Sequence, residues 1–267
     1  MQTKRRTNRV NRENKGDVMK RKNVEAVIFD LDGVLVSTDQ FHYLAWKRLS
    51  DQLGIQFDEQ INYRCRGVSR TESLRIILED SGKDFTDRER RRFLEMKNRW
   101  YREFLEKMTP KDVSREVTET LLWLRGEGYR LAVGSSSRNA GLILERTGLV
   151  GRFDAVADGN AIRKGKPDPE VFLKAAEFLK TEPSRCLVVE DAEAGIQAAH
   201  NACMKAVLFW NENGKGWKTS SIEDSVRGRT EEMPGKQEVW KNTLSRADYI
   251  LHQISDIRKV LRKEETA

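Results

Sequence analysis

Asp30-Leu31-Asp32-Gly33 puts two carboxylates two residues apart at the end of a mostly apolar run, VEAVIF, and a glycine then breaks the run. Acids at that spacing leave a strand on the same side. One could attack an electrophile while the other gives or takes a proton. A DxD pair alone is more often a polar turn; the apolar run before it and Gly33-Val34 after it raise the chemical reading. Three further pieces carry the same kind of signal. Ser135 is followed by Ser136, Ser137, Arg138 and Asn139, a hydroxyl with free backbone N–H groups where a helix starts, which suits a phosphate as well as a simple cap. Lys166 precedes a proline in GKPDPEVF and so sits on stiff, extended backbone. Glu190-Asp191 follows LVV, and adjacent acids at a buried strand end are costly unless a cation or hydrogen bonds offset them. Oxygen ligands of that kind suit Mg²⁺. Nucleophile, metal ligands, hydroxyl and lysine together make a dispersed phosphoryl-transfer site.

The elements that must position these residues are legible from hydrophobic patterning. Residues 24–32, 131–135 and 186–191 read as short buried strands, the first two ending in a loop and the third leading into the helical AGIQAAHNA; 205–209 and 247–251 are further strand candidates. Strands alternating with helices imply an α/β fold with a Rossmann-like parallel sheet as core. Residues 38–109 differ, being rich in Arg, Glu and Leu at helical spacing with no strand candidate (AWKRLSDQL, ESLRIILED, RERRRFLEMKNRWYREFLEKM). They read as a helical cap domain inserted after the first strand, over the sheet edge where ligands of open α/β sheets sit. The core is then 23–37 with 110–267, and 211–246, polar and weakly periodic, is a surface insertion that Trp217 and Trp240 could pin down.

The DLDGVL run, the serine at a strand end, Lys166-Pro167 and Glu190-Asp191 resemble the four motifs of the haloacid-dehalogenase superfamily, and the helical insertion resembles the cap of its C1 subgroup. FDLDGVLVSTDQFHYLAW, RGVSRTESL, the KN of EMKNRW, GSSSRN, GKPDPEVF and EDAEAGIQAA are similar in particular to the beta-phosphoglucomutase family. By that resemblance Asp30 attacks phosphorus and becomes an aspartyl phosphate, while Asp32 protonates the leaving oxygen and later deprotonates the attacking hydroxyl. Mg²⁺ sits on Asp30, the Asp32 backbone carbonyl, Glu190 and Asp191; Ser135 and Lys166 hold the transferring oxygens. Arg70 in the cap is the expected clamp on a second phosphate, with Arg138, Ser137 and Asn139 as its core-side partners. Arg138 stands where that family more often has lysine, and Ser136 where it often has alanine. Gly67, Val68, Ser69 and Ser73 would line a sugar pocket, and Thr38, His42, Trp46 and Lys97 would couple the cap to Asp32. His200 and His252 have no such context.

The implied activity is interconversion of beta-glucose 1-phosphate and glucose 6-phosphate through a bisphosphate. The rivals are a phosphatase of small sugar phosphates and a binding protein that works through its basic tail. Composition bears on the last. The 267 residues are 34% charged and 38% hydrophobic, enough for a core. Residues 1–22 carry nine Lys and Arg against Glu13 and Asp17, which accounts for the whole formal net charge of +7. The basic character therefore belongs to a polar tail, expected to be disordered, and nucleic acid is not an expected specific partner. No run of about 18 apolar residues exists, so no transmembrane helix or membrane partner is expected. Cys65, Cys186 and Cys203 are scattered and odd in number, which fits reduced thiols in a cytoplasmic protein. A small-molecule sugar phosphate is the expected partner, and a monomer the expected state.

Overall fold

A computed structural model describes residues 23–79, 81–210 and 246–266. Six strands form one sheet: β1 (Ala26–Phe29), β2 (Arg130–Gly134), β3 (Ala155–Ala157), β4 (Cys186–Glu190), β5 (Lys205–Phe209) and β6 (Tyr249–Leu251). All pairings are parallel and the order is β3-β2-β1-β4-β5-β6. The chain reverses its lateral progress between β1 and β4, so their C-terminal ends flank the switch point of the sheet, where α/β folds open a crevice. The expected acids stand there: Asp30 after β1, Glu190 and Asp191 at the end of β4.

Strand side chains alternate between two apolar layers. Val27, Phe29, Leu131, Val133, Leu187 and Val189 point to one layer. Ala26, Ile28, Ala132 and Val188 point to the other, where α7 (Glu170–Leu179) and α8 (Glu193–Asn201) cover them. The four interior strands are buried along almost their whole length, which is why they read as continuous apolar runs. β3 did not stand out in the sequence, because three residues at a sheet edge show no periodicity. The shared core is completed by α5 (Arg115–Gly126), α6 (Ala140–Arg146) and α9 (Ile257–Thr266).

The expected helical block is present, as α1 (Asp39–Leu53), α2 (Glu59–Arg64), α3 (Arg70–Glu79) and α4 (Asp87–Leu105). α1 stops at Gly54 in the left-handed region. α4 starts at a capping box, in which Thr86 accepts from the Glu89 N–H and the Glu89 carboxylate accepts from the Thr86 N–H. α4 buries Phe93, Lys97, Trp100, Tyr101 and Leu105, one stripe at helical spacing with a lysine in its middle. That stripe and Trp46 and Leu49 of α1 join the Val27 layer of the sheet in one apolar cluster. The expectations for the basic tail over 1–22 lie outside the described residues. So do those for the insertion, Trp217 and Trp240 included, except at Arg246, whose guanidinium lies 3.1 Å from the Glu193 carboxylate. Among the described residues no helix is long and apolar enough to cross a membrane.

Leu49 is fully buried inside the joint cluster. Leu49→Ala should cost about 2–5 kcal/mol through lost transfer energy and a residual cavity, lowering the urea midpoint; an unchanged midpoint would show that the cap is not packed as described.

Candidate active site

Asp30 is 6% exposed and its Oδ1 lies 2.5 Å from the Lys166 ammonium, whose other contact is Glu190 Oε1 at 2.6 Å. Lys166 is itself buried, 4.8 Å from the centre of the Phe172 ring. Glu190 is locked: its Oε2 accepts from the N–H groups of Asp191 and Ala192, both at 2.8 Å. Gly195 makes room for it, since a Cβ there would fall 1.9 Å from the Glu190 carboxyl. Gly33 does the same for Asp191. Its φ of +91° suits glycine, and a Cβ would lie 2.2 Å from Asp191 Oδ2. Asp191 is held on its open side by Arg66, 2.7 Å away.

These charges do not balance. Burial, reinforced by Glu190, Asp32 and Asp191, pushes the Asp30 carboxyl well above its usual range in spite of Lys166. Burial, only partly opposed by Arg66, pushes Asp191 up to about 7. Burial would lower the Lys166 ammonium, yet Asp30 and Glu190 more than offset it and hold the proton on. The strand ends thus carry more buried carboxylate than lysine and arginine neutralise, a donor set that fits a divalent cation with oxygen ligands. Among the described residues, no three His, Cys, Asp or Glu side chains stand arranged to hold a metal ion as they are. Lys166 bridges Asp30 and Glu190, while Arg66 pairs with Asp191.

A cavity of about 540 Å³ opens from Asp30, Asp32 and Asp191 to the cap. Ser135, Ser136, Ser137, Arg138 and Asn139 form its core wall after β2. There the Ser135 hydroxyl accepts from the Ser137 N–H at 3.1 Å and the Ser137 hydroxyl from the Asn139 N–H at 3.2 Å. The buried Ser136 hydroxyl has no hydrogen-bond partner among the described residues. The loop between α2 and α3 and the start of α3 supply Gly67, Val68, Ser69, Arg70 and Ser73. Arg70 and Arg138 face one space: burial and then Arg138 lower the Arg70 guanidinium. Among the described residues neither pairs with an acid; Arg70 Nη1 reaches the Leu94 carbonyl at 3.4 Å and Arg138 Nε the Gly159 carbonyl at 3.2 Å. The Asn139 amide is spent on α4, donating to Asn98 Oδ1 at 2.9 Å and accepting from Arg102 at 3.4 Å.

The remaining expected residues make a relay behind Asp32. Thr38 donates to Asp32 Oδ1, and Tyr101 reaches the same oxygen at 3.4 Å. Burial raises the Asp32 carboxyl, with the Thr38 hydrogen bond opposing it. Lys97 Nζ lies 2.9 Å from His42 Nδ1 and stands 4.3 Å over the Tyr101 ring and 4.8 Å over Trp46. Burial, then Lys97, holds His42 well below its usual range, so its neutral Nδ1 accepts the Lys97 hydrogen. Trp46 is both core and cavity wall. Every site residue expected from the sequence lines the cavity except Thr38, Lys166 and Glu190, which stand behind it. Among the cavity residues that sequence reasoning passed over are Tyr101, Asp39 and Arg66. Tyr101 lies four positions from Lys97 on the same face of α4, a spacing that could have exposed it. Asp39 opens α1, and Arg66 directly precedes the GVSR that singled out Arg70, but neither differs in type from many solvated neighbours.

Such a site, at the switch point of this sheet and under a helical cap, is that of a phosphotransferase. Residues 27–209 match the haloacid dehalogenase-like hydrolases, and the chain belongs to that family. It is an enzyme of the family's phosphotransferase type. A Bacillus subtilis relative, beta-phosphoglucomutase, is 43% identical over 186 residues, which cover 69% of this chain and 82% of the relative. A Thermotoga maritima relative, a phosphorylated carbohydrates phosphatase, is 33% identical over 69% of this chain and 84% of its own. The crystal structure of beta-phosphoglucomutase from Clostridium difficile superposes with a TM-score of 0.75 at 29% identity, over 91% of this chain and 97% of that one.

The excess of acid predicts a pH effect. A carboxyl that titrates near 7 when folded and near 3.8 when unfolded binds more protons in the folded state, so its contribution to stability is lost as pH rises through that window. Without divalent cations, Asp191→Asn should stabilise the protein relative to wild type by about 1–3 kcal/mol above pH 7 and much less near pH 4.5, read from melting temperatures. A difference that does not grow with pH would show that Arg66 already neutralises Asp191.

Proposed function

We propose that the chain is a sugar-phosphate mutase that interconverts beta-glucose 1-phosphate and glucose 6-phosphate, with Asp30 as the phosphoryl carrier. One observation carries this reading: a single cavity is lined by Asp30, with Lys166 directly behind it, and by two arginines, Arg70 and Arg138, neither of which pairs with an acid among the described residues. A hydrolase needs to bind one phosphate tightly, whereas a mutase must also hold the non-reacting phosphate of a bisphosphate. Guanidinium groups bind phosphate bidentately. The Bacillus subtilis relative supports the same choice, and the Thermotoga maritima relative supports a phosphatase as the alternative.

The chemistry runs in two halves. Asp30 Oδ attacks phosphorus, the bond from phosphorus to the sugar oxygen breaks, and Asp32 gives that oxygen its proton. When that sugar is the bisphosphate, this half leaves the phosphoryl group on Asp30 and releases glucose 6-phosphate, and beta-glucose 1-phosphate takes its place. Its 6-hydroxyl then loses its proton to Asp32 and attacks phosphorus, breaking the bond to Asp30 and re-forming the bisphosphate, which turns over to present its other phosphate to Asp30. Thr38 and Tyr101 fix the direction of Asp32, and its raised proton affinity suits the acid role. Lys166 holds Asp30 and meets the negative charge that develops on the transferring oxygens, with the Ser135 hydroxyl and the N–H groups of the 135–139 turn beside it. Asp30, the Asp32 carbonyl and Asp191 would hold Mg²⁺, with Glu190 behind them; bound there, the ion offsets the repulsion between carboxylate and phosphate. The Bacillus subtilis relative's family is the ground for naming magnesium. Under the cap, the relay of Lys97, His42 and Tyr101 keeps water from Asp32 and from the phosphorylated carboxyl.

Product analysis tests the reaction: beta-glucose 1-phosphate with Mg²⁺ and a trace of bisphosphate should yield glucose 6-phosphate, and release of inorganic phosphate alone would establish the phosphatase. Arg70→Ala should reduce mutase turnover about 30- to 150-fold, the worth of a charge-assisted bidentate contact of about 2–3 kcal/mol. Hydrolysis of acetyl phosphate, which has no distal phosphate, should change far less. Equal losses in both would reassign Arg70 to supporting the cap.

A further inference from the structure

Arg66 lies in the turn between α2 and α3, in the cap. Its Nη2 donates to Asp191 Oδ2 at 2.7 Å and stands 2.9 Å from Asp39 Oδ2. Asp191 belongs to the core, at the end of β4, and Asp39 opens the first cap helix. One guanidinium therefore ties the cap to the core through a carboxylate that the reading above places among the ligands of a divalent cation.

Three features make this contact a competitor of that cation. The oxygen Arg66 grips is the one nearest the Asp30–Gly33 loop: a Cβ on Gly33 would meet Asp191 Oδ2 at 2.2 Å but Oδ1 at 3.2 Å. A cation held by Asp30 and Asp191 together would draw on this same carboxylate. Second, Arg66 has somewhere else to go. Its side chain is 31% exposed and Asp39 already shares it, whereas the Asp191 side chain is 11% exposed and wedged against the β1 loop. When the two part, the arginine is the one free to move. Third, the loop that carries Arg66 touches the core beside it. Gly67 has a φ of +71°, and a Cβ there would fall 2.7 Å from the Ala192 side chain, directly after Asp191; a Cβ on Gly165 of the core would fall 3.0 Å from the Ser69 side chain. Displacing Arg66 thus loosens the seat of the 65–69 loop.

We infer that Arg66 is a positioning residue that takes the cation's place on Asp191 in the metal-free enzyme and is released by the divalent cation, so that metal occupancy and the seating of the cap loop on the core oppose each other. The inference rests on the reading of Asp191 as a metal ligand. Linkage makes the effect reciprocal: whatever the Arg66 contact adds to the closed loop it subtracts from metal affinity.

The test is calorimetric titration of the full chain with Mg²⁺, in wild type, Arg66→Gln, Arg66→Lys and Asp191→Asn, together with amide hydrogen exchange of residues 65–69. Arg66→Gln should bind Mg²⁺ about tenfold more tightly than wild type, the worth of a charge-assisted contact between partly exposed and buried groups. Arg66→Lys keeps the charge and should stay within about threefold of wild type. Asp191→Asn should bind far more weakly. Exchange over 65–69 should be slow in the metal-free wild type and faster with Mg²⁺, and already fast and insensitive to Mg²⁺ in Arg66→Gln. Equal or weaker binding by Arg66→Gln, while wild type binds, would overturn the inference and leave the metal reading standing, because Arg66 would then be orienting Asp191 for the metal. Exchange over 65–69 that ignores Mg²⁺ in wild type would overturn the coupling. No binding by either wild type or Arg66→Gln would overturn both readings.

Discussion

The ammonium of Lys166, buried between Asp30 and Glu190, is the interaction on which the rest of the site depends. A buried ion cluster is a poor way to stabilise a fold, since apolar residues of the same volume often do as well or better. Here the cost is met by local design: Glu190 takes two backbone N–H groups, Gly195 leaves room for its carboxyl, and Phe172 offers its ring to the ammonium. The result is an aspartate fixed in direction at a strand end, away from water, beside a cation that can follow its charge onto a phosphate. β1 and β4 are neighbours in register, Phe29 beside Val189, which sets Asp30 and Glu190 side by side without any help from the loops.

The cap makes this fixed centre selective. α1 and α4 share one apolar cluster with the sheet, so the cap is positioned by packing. Charged contacts then settle its relation to the core. Arg66 meets Asp191 at one end of the cavity, and Asn98 and Arg102 meet Asn139 at the other. Both contacts use groups that bound ligands would need. Arg70 and Arg138 both line the cavity, and burial and then Arg138 lower the Arg70 guanidinium, an environment that favours an anion. On the proposed reading, a ligand with two phosphates would meet Asp30 with one and these arginines with the other.

Much of this was legible in the sequence, for physical reasons. Fully buried parallel strands have no polar face, so β1, β2, β4 and β5 appeared as bare apolar runs, β1, β2 and β4 ending in chemistry. Helical periodicity with no strand signal gave the cap. β3 was invisible because an edge strand of three residues carries no period, and α2 because none of its residues is fully buried. At the site, Asp30, Asp32 and Asp191 were legible because charge at a buried strand end has no cheap structural purpose, and Lys166 because it precedes a proline in GKPDPEVF. Arg66 and Asp39 were not, because a cap rich in arginine and acid offers many equivalent candidates, and only the fold reveals which guanidinium reaches the core. The sequence reading set Glu190 beside Asp191 as a metal ligand, whereas the geometry commits both Glu190 oxygens to Lys166 and backbone N–H groups, a pairing that depends on a contact 24 residues away in the chain.

The central claim is that Asp30 carries the phosphoryl group, and it can be observed directly. Enzyme incubated with acetyl phosphate and Mg²⁺, quenched in acid and digested, should show the mass of one phosphoryl group on the peptide that contains Asp30. Borohydride reduction should then convert that residue, and no other carboxylate, to homoserine. A phosphoryl group found on Asp32, Asp191 or another residue, or full turnover with no phosphorylated Asp30 at any time, would contradict the account.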